Sequence, residues 1–189
     1  MKVLITGITG FVGSHLAEYC LTIPGVEVWG TIMSHHLGDE MKRIIGIKDR
    51  IELVECNLTN KIAVERVLQK VKPDKIFHLA AQSFVQVSWE GPEDTLFNNI
   101  MAELNIFEAC RDLQINPVIQ IAGSSEEYGL VLENELPIKE TTPLRPLSPY
   151  AVSKIGQEML GYQYYKSYGL KIVLTRAFNH EGPRRGEQF

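Results

Sequence analysis

Tyr150 and Lys154 stand four residues apart in the stretch Ser148-Pro149-Tyr150-Ala151-Val152-Ser153-Lys154. Pro149 suits the first position of a helix, where it has no N–H to lose. The phenol and the amine then lie one turn apart on one helical face. An ammonium beside a phenol favours phenolate and lowers the tyrosine pKa from its ordinary value of about 10 toward one useful for proton transfer. Tyr162, Tyr164, Tyr165 and Tyr168 follow on the same predicted helix, so plain packing and solvated charge are the competing account of the pair.

A second chemical pattern lies near the start, in Gly7-Ile8-Thr9-Gly10-Phe11-Val12-Gly13. It sits between a short apolar strand and a helical pattern, where glycines permit a tight turn and close approach of backbone to a pyrophosphate. The helix N-terminus adds unpaired N–H groups and the positive end of its dipole. Gly7, Thr9, Gly10, Phe11, Val12 and Gly13 are therefore candidate dinucleotide-binding residues. A carboxylate is expected about 20 residues further on to hold an adenosine ribose. The second strand instead ends Gly30-Thr31-Ile32-Met33-Ser34-His35-His36. The missing carboxylate favours the 2′-phosphorylated cofactor NADP, with NAD the alternative. No arginine follows there to clamp a phosphate, which leaves Ser34, His35 and His36 as weaker donors.

The elements that position these groups follow from hydrophobic periodicity. Strands are expected at 3–5, 26–33, 51–55, 76–79, 118–122 and 172–174. Helices are expected at 11–23, 60–71, 92–113 and from 149 past the tyrosines, with a looser one at 39–47. Strands apolar on both faces, alternating with helices, indicate an α/β fold with a doubly wound parallel sheet of Rossmann type. Its ligand crevice lies at the carboxyl ends of the strands. That crevice collects Ser124, which follows the fifth strand, with Tyr150 and Lys154. Ser124 equally suits a turn hydroxyl, and Glu126 a solvated loop carboxylate. His15 and His78 read as structural, His78 as a satisfied core histidine.

A chain of 189 residues suits one sizeable domain. Its 44% hydrophobic and 22% charged residues are those of a soluble globular protein. The net charge of −4 points away from nucleic acid and from anionic membranes as partners. Cys20, Cys56 and Cys110 are far apart and each sits in an apolar segment. They read as reduced core thiols of a cytoplasmic protein, with neither a disulfide frame nor a metal site. The N-terminus enters a strand pattern at once, and no run reaches transmembrane length.

With Thr6-Gly7-x-x-Gly10-x-x-Gly13, Leu79-Ala80-Ala81-Gln82-Ser83, Ser124-Ser125-Glu126-Glu127-Tyr128-Gly129 and Ser148-Pro149-Tyr150-x-x-x-Lys154 in this order, the chain resembles the extended short-chain dehydrogenases/reductases. The resemblance covers essentially the whole chain and lies in their sugar-nucleotide epimerase and dehydratase group. Glu140-Thr141-Thr142-Pro143 and the segment from Phe178 to Gly186 look like GDP-mannose 4,6-dehydratases. Ser124-Ser125-Glu126-Glu127-Tyr128-Gly129 and Pro143-Leu144-Arg145-Pro146 look more like GDP-4-keto-6-deoxymannose reductases.

The resemblance implies roles. Tyr150 takes the proton of a sugar hydroxyl as hydride leaves for the nicotinamide, Lys154 stabilises the phenolate and binds the nicotinamide ribose, and Ser124 holds the reacting oxygen. Glu126 removes the C5 proton once C4 is a ketone, so that water is lost from C5–C6. Ser83, Ser125 and Asn179 join Ser124 and Glu126 as substrate contacts. Asn57, Leu58, Leu79, Ala80, Ala81, Ser83, His180 and Arg185 match cofactor-contacting positions. Asn57 stands where the family has aspartate, and Ala102-Glu103 where Gly-Thr usually follows the helix asparagine Asn99. The implied function is a nucleotide-sugar 4,6-dehydratase acting on GDP-mannose. The reductase and a 4-epimerase are the alternatives within the family, and a dinucleotide-binding module without turnover is the alternative outside it. The implied assembly is a homodimer or homotetramer paired through the two long helices. Family members continue into a smaller domain that binds the nucleotide sugar. The expected organisation is thus a dinucleotide-binding domain over 1–178, with 179–189 the start of a truncated substrate domain.

Overall fold

The computed structural model describes residues 1–33 and 39–186. Six parallel strands form one sheet in the order β3-β2-β1-β4-β5-β6. They are β1 (Lys2–Thr6), β2 (Glu27–Ile32), β3 (Glu52–Glu55), β4 (Lys75–His78), β5 (Val118–Ser124) and β6 (Lys171–Ala177). The order turns back between β1 and β4, which opens a crevice at their carboxyl ends. Gly7 and Leu79 follow directly at that point.

Helices cover both faces. The apolar stripes of α2 (Lys61–Val71), α4 (Pro92–Asp112) and α5 (Pro149–Tyr168) pack on one face, where Leu68, Ile106, Phe107 and Tyr164 join Ile76 and Ile119 in one core. On the other face α1 (Phe11–Cys20) and a 3₁₀ segment (Asp39–Arg50) bury Ala17, Cys20, Ile44 and Ile47 against Val3, Ile5 and Val28. The doubly wound architecture expected from the alternation of apolar runs is the one observed.

Local differences have local causes. The looser helix expected at 39–47 is the 3₁₀ segment Asp39–Arg50. Met41, Ile44 and Ile47 recur every three residues, which places them on one edge of a three-per-turn helix, and Gly46 weakens the α alternative. Helix α1 stops at Cys20, short of residue 23, because Leu21, Thr22 and Ile23 close a turn before Pro24-Gly25. Strand β6 runs on to Ala177, pairing Ala122, Gly123 and Ser124 with Thr175, Arg176 and Ala177. The polar Thr175 and Arg176 hid this extension from a search for apolar runs. A further helix, α3 (Val85–Glu90), has only six residues, too few to show a period.

Candidate functional site

The glycine loop has the geometry a pyrophosphate needs. Gly7 holds φ +69° beside the backbone of Ala80, a conformation that favours glycine. A Cβ on Gly13 would come within 2.3 Å of the Gly7 carbonyl oxygen, so helix and turn approach only because no side chain intervenes. Gly10 precedes α1 with no side-chain cap, and the first turn carries no acidic residue. The first N–H groups of α1 are thus left to a ligand anion. Opposite, the Thr6 hydroxyl accepts the backbone N–H groups of Leu79 and Ala80, both at 3.1 Å. This joins the loop after β1 to the loop after β4. These residues fit a dinucleotide's phosphates.

The candidate catalytic groups converge from β5 and α5. The Ser148 hydroxyl caps α5 by accepting the Ala151 N–H at 3.1 Å, and Pro149 opens the helix as expected. Tyr150 is 8% exposed and Lys154 4%. Ser124, at the end of β5, caps the short 3₁₀ turn Ser125–Glu127 by accepting the Glu126 N–H at 3.2 Å. Its hydroxyl also meets the Tyr150 phenol. Glu126 lies exposed at the rim, close enough for its charge to act on Tyr150. Ser125 is half-buried beside it.

One sequence expectation is reversed in this arrangement. Burial raises the Tyr150 pKa, the Ser124 hydrogen bond works against that rise, and Glu127 and Glu126 add to it. The Lys154 Nζ donates to the Ala122 carbonyl at 2.8 Å and lies 5.7 Å from the Tyr150 ring centroid. Burial pushes Lys154 itself down to about 8, with Glu103 and Glu127 resisting. The phenol is held as a protonated donor, and the ammonium is aimed at the backbone beside it.

Sequence reasoning passed over Glu127. Its side chain is fully buried and accepts the Ser124 N–H at 2.7 Å, closing a capping box on the turn that carries Glu126. The Ser-x-x-Glu spacing was the available signal. Behind it, Arg176 pairs with Glu158 through two hydrogen bonds and lies 3.5 Å from Glu127. Burial pushes Glu127 up to about 7, while Glu158 is pulled down by Arg176 and by its contact with Glu127. Of the two carboxyls, Glu127 is the one that holds a proton more readily.

The remaining candidates are more scattered. Ser34 lies outside the described residues. Asn57 is exposed and accepts both the N–H and the hydroxyl of Thr59, so it shapes the turn before α2. Leu58 packs on the core and its carbonyl accepts from Asn105. Leu79, Ala80 and Ala81 line the crevice loop, and Ser83 is exposed at its end. Gln82 is tied to Asn99, whose Oδ1 accepts the Gln82 N–H and whose amide donates to the Gln82 carbonyl and to Ser153. Val12 is 38% exposed, and Phe11 lies 3.6 Å from where a Gly182 Cβ would stand. Asn179 and His180 are exposed, and Arg185 pairs loosely with Glu181 at 3.8 Å.

His15 is structural as expected, binding the Pro183 carbonyl and the Arg184 guanidinium. His78 is only half satisfied. Its Nδ1 meets the Thr6 hydroxyl at 2.9 Å, but its Nε2 has no partner among the described residues, and burial holds its pKa down to about 3. A cation that the sequence did not place comes from the 3₁₀ segment. Arg43 donates to the Arg184 carbonyl at 3.0 Å and reaches the Thr9 carbonyl of the glycine loop at 3.5 Å. It makes no ion pair with a carboxylate among the described residues.

Known proteins are similar to this chain in sequence and in fold. A Vibrio cholerae GDP-mannose 4,6-dehydratase is 41% identical over the whole chain, which corresponds to 52% of that protein. A Thermus thermophilus UDP-glucose 4-epimerase solved with NAD superposes with a TM-score of 0.87 at 36% identity, covering 100% of this chain and 59% of that one. RMD from Pseudomonas aeruginosa, solved with NADPH, gives 0.78 at 26% identity, covering 100% and 57%. The chain spans about half the length of the relatives it matches. The profile of one family, described as GDP-mannose 4,6 dehydratase, runs through residues 4–189 and so takes in the glycine loop, the Ser124 turn and the Tyr150 helix alike. The chain belongs to the GDP-mannose 4,6 dehydratase family.

Proposed function

We propose that the chain serves a nucleotide-sugar 4,6-dehydratase that converts GDP-mannose to GDP-4-keto-6-deoxymannose with NADP. The observation that carries this reading is the meeting of Ser124, Tyr150 and Lys154 at the carboxyl edge of the sheet, with Glu126 on the adjoining turn. A nicotinamide held at this crevice would supply the acceptor, and then the donor, of the sugar's hydride. The minor phenolate form of Tyr150 removes the proton of the C4 hydroxyl, and Ser124 hydrogen-bonds the same oxygen. Lys154 stabilises the phenolate and binds the nicotinamide ribose. The C4 ketone acidifies C5–H, Glu126 takes that proton, and the C6 hydroxyl departs as water. Glu126 is suited to this because it lies outside the buried carboxyl pair and remains accessible to substrate.

Gly7, Gly10 and Gly13, with the first turn of α1, hold the pyrophosphate. Arg43 supports NADP over NAD, since its guanidinium at the glycine loop is the cation a 2′-phosphate needs. Ser83, Ser125 and Asn179 contact substrate, while Asn57, Leu58, His180 and Arg185 complete the cofactor contacts. Residues 1–178 form the dinucleotide-binding domain, and 179–189 lead into a substrate domain. The exposed Phe97, Val152, Met159 and Tyr162 on α4 and α5 support pairing into a homodimer or homotetramer. The buried, unpaired cysteines support a cytoplasmic location.

The test is mass analysis of GDP-mannose incubated with the protein and oxidised NADP, while reduced-cofactor absorbance is followed. Loss of one water with no net reduction is expected, and Glu126→Gln is expected to stop water loss while dinucleotide binding persists. A product of unchanged mass, or water loss undiminished in Glu126→Gln, contradicts the reading. The second reading is a dinucleotide-binding module without turnover, for which the glycine loop and the uncapped start of α1 suffice. Unchanged GDP-mannose beside tight dinucleotide binding supports it.

A further inference from the structure

Strands β1 and β4 end side by side where the sheet order turns back, and their last residues, Thr6 and His78, are direct cross-strand neighbours. Side chains alternate along a strand, so both share the face of Leu4 and Ile76, which lie in the core beneath α2, α4 and α5. Thr6 is 1% exposed and His78 2%. The two side chains meet in a hydrogen bond of 2.9 Å between the Thr6 hydroxyl and the His78 Nδ1.

The direction of that bond is set by the other partners of the hydroxyl, which has two lone pairs and one proton. The backbone N–H groups of Leu79 and Ala80, each 3.1 Å away, can only donate, and they occupy both lone pairs. The proton is left for His78, whose Nδ1 must accept it. Burial, with the Lys154 charge adding to it, keeps the ring neutral by holding its pKa down to about 3, so its own hydrogen sits on Nε2. Nε2 has no partner among the described residues, and a buried N–H without one costs stability that an apolar side chain would not. What the ring does at this position is therefore done through Nδ1.

The bonds to the hydroxyl converge where the two crevice loops touch. Gly7 directly follows Thr6, and a Cβ on it would come within 3.0 Å of the Ala80 backbone. The glycine loop and the loop after β4 thus stand at backbone contact, with the Thr6 hydroxyl as a tie between them. Without an acceptor at Nδ1, the hydroxyl proton would have to turn toward the two N–H groups or stay unpaired in the core. Either weakens the tie.

We propose that His78 is a positioning residue for the dinucleotide site: its Nδ1 accepts the Thr6 proton, keeps both lone pairs of that hydroxyl on the Leu79 and Ala80 N–H groups, and so sets the loop after β4 against the glycine loop. The use of the two loops rests on the dinucleotide site proposed above, but the hydrogen bonds do not.

The test compares His78→Asn, whose side-chain oxygen can accept where Nδ1 does, with His78→Leu, which cannot. Amide hydrogen exchange of Leu79 and Ala80 in the ligand-free protein is expected to quicken about two- to tenfold in His78→Leu, the span of one hydrogen bond, and to stay near wild type in His78→Asn. The dissociation constant for reduced NADP, read by its fluorescence, is expected to rise over the same range and in the same order. Because the effect passes through Thr6, His78→Leu should add little in a Thr6→Val background. In the wild type, ¹⁵N shifts of the ring are expected to show hydrogen on Nε2 and none on Nδ1, His78 being assigned by its loss in His78→Asn. Hydrogen on Nδ1, or equal exchange in the two variants, overturns the proposal. So does loss of the fold in both variants, judged by near-ultraviolet circular dichroism, since the ring is then needed for packing. Exchange in the expected order in a protein that binds no dinucleotide counts against the proposed cofactor alone. Dinucleotide binding of equal strength in wild type and both variants counts against this inference alone.

Discussion

Tyr150 is a buried phenol whose pKa is raised by desolvation and by the nearby Glu127 and Glu126, with Ser124 alone pulling it down. In the proposed reaction it must take a proton, so Tyr150→Phe is expected to lower kcat by about a hundredfold or more, the usual range for a positioned acid or base. Steady-state rates check this, with dinucleotide titration as the control. Glu127 makes a prediction about stability. Its pKa rises from the ordinary carboxylate range to about 7 on folding, so the native state favours its protonated form. That contribution is complete below the unfolded value and is lost as pH rises through about 7. Glu127→Gln keeps the amide-like hydrogen bonding of the protonated form, so the difference in stability between wild type and variant should shift in the variant's favour from about pH 5 to about pH 8 in urea melts. A difference that stays constant with pH contradicts the protonated Glu127. The groups that meet at the site were singled out in the sequence by the local Tyr-x-x-x-Lys spacing and, for Ser124 and Glu126, by the family resemblance. Glu127 carried a local signal in the Ser-x-x-Glu spacing, but its meeting with Glu158 and Arg176 was not legible, because Arg176 is 18 residues from Glu158 and further still from Glu127 and reaches them only once β6 pairs with β5.

At the scale of elements, the glycine loop is the most exacting part. Gly13→Ala puts a Cβ into the Gly7 carbonyl oxygen, backbone against backbone, with no flexible side chain to yield. The variant is expected to lose most of its dinucleotide affinity, read by the quenching or enhancement of reduced-cofactor fluorescence, and binding equal to wild type would mean that the loop does not hold the pyrophosphate. Long, strongly periodic elements such as α2, α4 and α5 were legible from apolar spacing. The looser helix at 39–47 was legible, but not its 3₁₀ winding, because Met41, Ile44 and Ile47 satisfy a period of three as well as one edge of an α-helix. This segment carries Arg43 back to Thr9.

At the scale of the molecule, ligand and fold are linked. A dinucleotide at about a hundred times its Kd stabilises the native state by about 2.7 kcal/mol if it binds the folded chain alone. NADP is expected to raise Tm more than NAD at equal concentration, and Arg43→Ala is expected to remove most of that difference. Equal shifts in the wild type would count against the 2′-phosphate contact. The doubly wound parallel sheet and its crevice were legible in the sequence because alternation of strand and helix leaves few topologies. The cross-chain ties of the C-terminal segment were not, since the Arg184 pairing with Glu18 joins residues 166 apart.

The most direct test of the account uses GDP-mannose carrying deuterium at C4, incubated with the protein and oxidised NADP, with the product read by mass and by NMR. A product one water lighter, with the label moved to C6, is expected. A product that keeps the label at C4, or that has lost no water, contradicts it.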